Sequence, residues 1–227
     1  MKKAAQLLFL VFALNLIQGS FLILHAQVKP KLKKTIRAEF QLPRATWDRA
    51  FVKTFSGVFN SGISLNFGGK HFSAGGFYSL TQYQVFPKYF DDPHVVQTNH
   101  TAGIKLHYDM LSSSGHGMFS PFIAPGYGWI KYTRIKCQEN GHPAYDTETS
   151  AFSTNVGMSY SIMLDEWTGV GLIIGFNMID HVFRPENVCM DEWGIEYGSN
   201  DSKGSFKNIF FGFNLYFDLA RKPDTAE

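Results

Sequence analysis

Seven histidines lie beyond the first 27 residues, at positions 71, 94, 100, 107, 116, 142 and 181. Histidine is the side chain that most readily exchanges protons near neutral pH. A hydrolase would need one of them beside a serine and a carboxylate, and His100 or His181 with Ser150 or Ser153 and Asp180 could supply such a set. No Gly-Xaa-Ser-Xaa-Gly elbow, phosphate-binding glycine loop or His-Glu-Xaa-Xaa-His pair occurs. The spacing therefore assigns no catalytic, cofactor-binding or metal-ligating residue. Two cysteines, Cys137 and Cys189, complete the inventory. His142 and His181 are their nearest histidines and form no ligand motif with them. A chain that crosses an oxidising compartment is expected to join such a pair as one disulfide; a reactive thiol or a metal site is the alternative.

The elements that must hold these residues are legible in the composition. Aromatic residues make up 16% of the 227 residues, charged residues only 18%, and there are 21 glycines. Disordered chains are poorer in aromatics and richer in charge, and helical bundles lean on Ala, Leu, Glu and Lys. Aromatic and β-branched residues punctuated by glycine point to sheet.

Period-two alternation bears this out in eight segments. Thr35 to Leu42 places Ile36, Ala38, Phe40 and Leu42 on one face and Thr35, Arg37, Glu39 and Gln41 on the other. Gly57 to Phe67, His71 to Gln84 (more weakly) and His100 to Met110 follow with the same period. So do the segments centred on Pro121 to Trp129, Phe152 to Leu164, Val170 to Met178 and Asn208 to Asp218. Pro125 cannot donate to a ladder, which predicts a bulge there.

The two stripes differ in size as well as polarity. One carries the large residues, the other is dominated by Gly, Ser, Asn and Thr. Eight strands enclose a space only wide enough to be filled by side chains. The small stripe suits that interior, with Gly126 and Gly128 as thin walls, and the large stripe must face lipid. The expected fold is all-β, an eight-stranded antiparallel up-and-down transmembrane barrel. A secreted soluble carrier of lipocalin type would need the stripes inverted.

Met1 to Gln27 reads as a secretory signal peptide: Lys2 and Lys3, an apolar run from Ala4 to Leu24, and Ala26 before the cut. An uncleaved anchor helix is the alternative. Removing its two lysines from the chain's 21 basic residues leaves 19 against 19 acidic ones, so the mature chain has no basic footprint for nucleic acid. Residues 28–34 form a periplasmic leader, 35–219 the barrel, and 220–227 a periplasmic tail. Gap lengths alternate from long to short, starting with Pro43 to Ser56 and ending with the longest, Phe183 to Ser205. Short periplasmic turns and long extracellular loops give that alternation, with both termini on the periplasmic side.

On this phase Arg37, Glu39, Lys105, His107, Asp109 and Asp218 fall inside the barrel. Buried charges need partners, so salt bridges that plug the interior are expected; a narrow ion path or proton relay is the alternative. The longest loop carries Glu186, Asp191, Glu192, Glu196 and Asp201 with Trp193, Ile195 and Tyr197. It is expected to be a solvated loop folded onto the rim and held by the disulfide, with a partner or cation as the other option.

The stretch Ser120-Pro121-Phe122-Ile123-Ala124-Pro125-Gly126-Tyr127-Gly128-Trp129 resembles a strand common in small outer-membrane β-barrel domain proteins of Gram-negative bacteria. Phe210-Phe211-Gly212-Phe213-Asn214-Leu215-Tyr216-Phe217 resembles their last strand, whose alternating aromatics are read by the barrel-insertion machinery; here the chain runs on to Glu227. The resemblance spans about Thr35 to Leu219 and implies OmpA/OmpX-like architecture, often labelled porin-like, with no catalytic residues. It implies outer-membrane lipid and the insertion machinery as partners, no cofactor and a monomer. A structural or recognition role through the extracellular loops is the expected function. The rivals are a lipid-modifying hydrolase of that membrane and the soluble carrier.

Overall fold

The computed structural model describes residues 33–46, 48–85, 95–135, 137, 145–165, 167–193, 195–198, 200–201 and 205–219. The segments expected to be the signal peptide, most of the leader and the C-terminal tail lie outside them. Each alternating segment is a strand: β1 (Lys33–Ala45), β2 (Phe55–Gly68), β3 (Phe72–Val85), β4 (Val96–Tyr108), β6 (Gly117–Ile135), β7 (Tyr145–Met163), β8 (Thr168–Ile179) and β9 (Phe206–Asp218). The two-residue β5 (Met110–Leu111) continues the line of β4 beyond Asp109 and pairs with β6. Lys33 and Lys34, expected in a loose leader, already belong to β1, because Lys33 pairs with Gly68.

Every pairing is antiparallel, neighbour to neighbour. β1 joins β9, and β4 joins β6, so the sheet closes on itself, with no open edge at the level of the belt among the described residues. The bulge expected at Pro125 does not occur. Pro125 stays in unbroken register with Thr154 of β7, and the pairs Gly103–Gly126 and Leu106–Ile123 keep one register with β4. Pro125 turns its ring nitrogen toward β4, where pairing lapses between those two pairs; the missing donor costs a rung without shifting the ladder. Register shifts fall instead at Gly57/Phe59 and Tyr132/Ile135, both at the long-loop end.

The stripes face as their sizes require. Phe40 (56% exposed), Ile104 (59%), Phe152 (57%) and Phe213 (59%) stand on the outside, in a continuous belt with Ile63, Tyr160, Leu172 and Ile174. A surface so apolar is tolerable only in lipid. A carrier barrel is thereby excluded. The opposite stripe, including Thr35, Ser64, Asn66, Ser153, Ser161 and Asn214, is buried inside. Large residues also enter the interior, and for Phe210 and Phe122 a glycine makes room. A Cβ at Gly175 would lie 2.3 Å from the Phe210 ring, and one at Gly157 2.7 Å from that of Phe122.

Beyond the belt the long-loop end is a second, apolar core that the size argument did not anticipate. The first long gap is not a loop: β1 runs on to Ala45 and a short helix, α1 (Arg49–Thr54), follows. The longest gap is folded too, with 3-10 turns at Pro185–Val188 and Met190–Trp193. Phe51, Phe55, Tyr83, Val95, Ile130, Phe183, Val188, Met190 and Phe206 pack together there. Strand residues such as Tyr83 and Ile130 and connection residues such as Phe183 and Val188 share this core.

Candidate functional site

Two sets of side chains sit along the barrel axis. At the short-turn end, Arg37 (β1) donates from Nη2 to Asp109 Oδ1 at 2.6 Å, and Ser120 Oγ donates to the same oxygen at 2.7 Å. Lys33 Nζ reaches Asp109 Oδ2 at 3.5 Å. The Tyr216 ring lies under both cations, 5.0 Å from Lys33 Nζ and 5.2 Å from the Arg37 guanidinium carbon. One level further in, Lys105 and Glu39 form a second ion pair. Gln41 donates to Glu39 at 3.1 Å and Asn60 to Gln41 at 2.6 Å. Odd-numbered residues of β1 and β4 face inward, which is why 37, 39, 105, 107 and 109 meet although the sequence keeps them far apart.

His107 packs on Phe122, with ring centroids 5.6 Å apart. Both its nitrogens, and Nε and Nη1 of Arg37, are buried with no hydrogen-bond partner among the described residues. Asp218 stands half-buried at the end of β9, opposite Thr35, at the mouth of this set. Lys33, Ser120 and Tyr216 were not singled out from the sequence. The strand phase would have found them, since each falls on the inward stripe.

The second set builds the cap over the long-loop end. Asp48 accepts from the Phe51 amide through Oδ1 at 3.0 Å, a helix N-cap. Its Oδ2 accepts from the Phe183 amide at 3.1 Å. One carboxylate thus joins the first and last long connections. Burial pushes this carboxyl above its ordinary range; the Phe51, Phe183 and Ala50 amides oppose the shift and the nearby Asp201 charge adds to it. Lys53, in the last turn of α1, ion-pairs with Asp201 at 2.6 Å, and Thr54 shares a 2.6 Å hydrogen bond with Tyr197. The Lys53 hydrogen bond holds the Asp201 carboxyl below its ordinary range, helped by the Gly198 amide. Phe51 is the hub, with ring centroids of Phe206 at 4.4 Å, Phe55 at 4.7 Å, Tyr83 at 5.1 Å and Phe183 at 5.5 Å.

Cys137 and Cys189 are joined as a disulfide, Cα atoms 5.2 Å apart, tying the last two long connections together. The Glu192 carboxylate lies within 4.8 Å of both sulfurs. Those sulfurs are spent on each other, so the trio is not a metal set. The longest connection is folded onto the rim, but through buried Phe183, Val188, Met190 and Ile195 rather than as a solvated loop. The signal for this cap was present as Asp48 three residues before Phe51.

The side chains that could have made a hydrolytic triad are distributed among other partners. His100 shares a 2.6 Å hydrogen bond with Tyr78 on the outer face, and Ser150 one of 2.8 Å with Tyr127. Ser153 is inside and donates to Asn177 at 3.1 Å. His181 lies 3.4 Å from the Tyr132 hydroxyl, and burial lowers the pKa of its imidazole.

No family model matches the chain, and no curated protein matches it in sequence. Solved structures do. A major outer membrane protein from Thermus thermophilus aligns with a TM-score of 0.50 at 9% identity, over 81% of this chain and 99% of that one. Neisserial surface protein A aligns at 0.47 with 11% identity, covering 83% and 97%. The N-terminal β-barrel domain of Pseudomonas aeruginosa OprF aligns at 0.40 with 11% identity, covering 81% and 97%. At such identities the likeness speaks to fold. The chain has the fold of the small outer-membrane β-barrels, with OmpA/OmpX-like architecture: eight antiparallel strands, closed, with an apolar exterior.

Proposed function

We propose that this protein resides in the outer membrane of a Gram-negative bacterium, after loss of residues 1–27, as a non-enzymatic monomer. Its long connections face outward from the cell, and it acts as a structural or recognition element through them. Its interior is plugged rather than an open pore. Outer-membrane lipid and, during assembly, the barrel-insertion machinery are its partners, with an extracellular ligand at the loops.

The observation that carries this reading is the cap. A fully buried Phe51 and the Asp48 carboxylate weld α1 to the last long connection above the belt. A folded, cross-linked surface suits recognition better than a floppy rim would, because less ordering entropy is lost on binding. Below the cap, the cavity beside Glu39, Gln41 and Lys105 measures about 20 Å³, room for roughly one water, which supports the plugged interior.

The test has two arms. Intact cells are treated with a membrane-impermeant amine reagent and the purified protein is reconstituted in planar bilayers. Labelling of Lys131 and Lys53 with Lys34 and Lys70 spared, and no steady conductance, is the expected result. The reverse labelling pattern refutes the orientation, and stable channels refute the plug.

A further inference from the structure

The hairpin of β6 and β7 rises past the lipid belt, and one of its edges has no neighbour. At 19 residues each, both strands are far longer than the 9–11 that cross a bilayer. β7 pairs with β6 from Tyr145 onward, but its ladder with β8 begins only at Ser153 and Ile179. Beyond Ser153 toward Tyr145, no strand pairs with the other side of β7 among the described residues.

The phase of that edge is fixed by three backbone hydrogen bonds. The Asp180 amide donates to Phe152 and the Leu164 amide to Thr168, so even-numbered residues here turn their backbone groups toward β8. The Met163 amide donates to His116, so odd-numbered residues turn theirs toward β6. In an antiparallel strand one residue's N–H and C=O point the same way. Asp146, Glu148 and Ser150 therefore present their N–H and C=O groups on the unpaired side.

Beside this edge lies a cavity of about 110 Å³. Its floor is apolar and buried, formed by Tyr132, Phe183 and Val188, and its walls include Thr147, Thr149 and His181. That volume approaches cavities known to take up benzene. Thr147 and Thr149 belong to the inward stripe, so the cavity opens on the inner side of the same edge. Outward from the edge stand exposed acids: Glu148, and Asp180 at its foot, with Arg184 the cation lining the cavity. Asp146 is engaged by Lys131 at 3.2 Å and by the Arg134 amide.

We propose that the 146–150 edge and this cavity together bind an extended peptide segment of a partner protein, which adds to the sheet as a further strand. The chemistry of that segment follows from the alternation. Residues opposite Glu148 point outward and are basic, while the residues between them point inward and place one aliphatic side chain on Tyr132, Phe183 and Val188. Backbone pairing supplies adhesion and the cavity supplies selectivity. A second copy of this chain is disfavoured, since antiparallel pairing of two such edges would set acid against acid. The inference rests on the outward-facing loops proposed above only for where the partner comes from; binding itself is a property of the purified protein.

The test uses the full mature chain refolded in non-ionic detergent and a seven-residue peptide alternating lysine with leucine. Two partners to that peptide are made, one N-methylated at its lysines and one at its leucines. Lysine amides face the edge and leucine amides face away. The expected result is that the parent and leucine-methylated peptides bind and slow amide exchange at Asp146, Glu148 and Ser150 at least tenfold. The lysine-methylated peptide does neither. Glu148→Pro removes an edge N–H without touching the β6 ladder and weakens binding at least tenfold, whereas Glu148→Gln weakens it only a few-fold. Equal binding of both methylated peptides, indifference to Glu148→Pro in a folded barrel, or binding by none of the peptides overturns the proposal. If Glu148→Pro does not fold, the methylated pair decides alone. Cell-surface labelling of Lys131 fails or succeeds independently of all these outcomes, so an error in orientation and an error in peptide binding are told apart.

Discussion

Arg37 and Asp109 meet across the barrel interior at 2.6 Å, although 72 residues separate them and each is 1% exposed. Removing one member of a buried pair leaves a charge without compensation, at a cost of about 3–5 kcal/mol, whereas replacing both with apolar residues is often nearly neutral. Asp109→Ala is therefore expected to lower resistance to urea in detergent by that amount, with Arg37→Met/Asp109→Leu regaining most of it. Equal losses in the single and double variants would show that the pair's charge is not what the interior depends on.

The cap should loosen separately from the barrel. Phe51 has no exposed surface and touches four aromatic rings. Truncation of so large a core side chain costs about 3–5 kcal/mol. Phe51→Ala should expose the Phe183 and Phe206 amides to exchange while the folded band on an unheated gel persists. Replacing Cys137 and Cys189 by alanine should act in the same direction, by roughly 2–4 kcal/mol. Loss of the folded band in either variant would mean that cap and barrel unfold as one unit.

Asp48 gives the cap a pH dependence of definite sign. Its carboxyl titrates above 3.8 in the folded protein, so the folded state binds a proton before the unfolded one does. Stability contributed by this group must then rise as pH falls through the raised pKa, and level off below the unfolded value. Measured through exchange of the Phe51 amide, wild type should gain on Asp48→Asn between neutral pH and about pH 4. A gain in the opposite direction would mean that the backbone donors outweigh burial.

The belt is tested by charge at its middle. Ile174 is 48% exposed, near the centre of β8 between Met158 and Phe211. Arginine on the lipid face at the midplane costs about 2–4 kcal/mol, falling to about 0–1 near the interface. Ile174→Arg should reduce folding yield into lipid vesicles far more than Asp180→Arg at the strand's outer end. Equal effects of the two would argue against a membrane centred on this belt.

Much of this is legible without any coordinates. The alternation around Phe40, Ile104 and Phe213 sets the strands, and the size contrast between stripes sets which side faces lipid. Strand phase alone puts Arg37, Lys105, His107 and Asp109 inside, because in a strand the side of a residue depends only on its parity. The loops are less legible. Asp48 and Phe51 carry a helix start, yet nothing local says that Phe183 shares the same carboxylate. The bulge expected at Pro125 fails to form because a missing donor forces one only if the ladder cannot spare the rung.

The sequence by itself determined period, sidedness and strand count, because these follow from steric alternation and from the free energy of placing apolar surface in lipid. Tertiary structure alone decided which inward residues meet, since partners such as Arg37 and Asp109 depend on closure and shear, which no single strand encodes. It also decided that the long connections fold into a cap around Phe51. Their apolar residues follow no repeating period, and only the barrel's end gives them a common place to be buried.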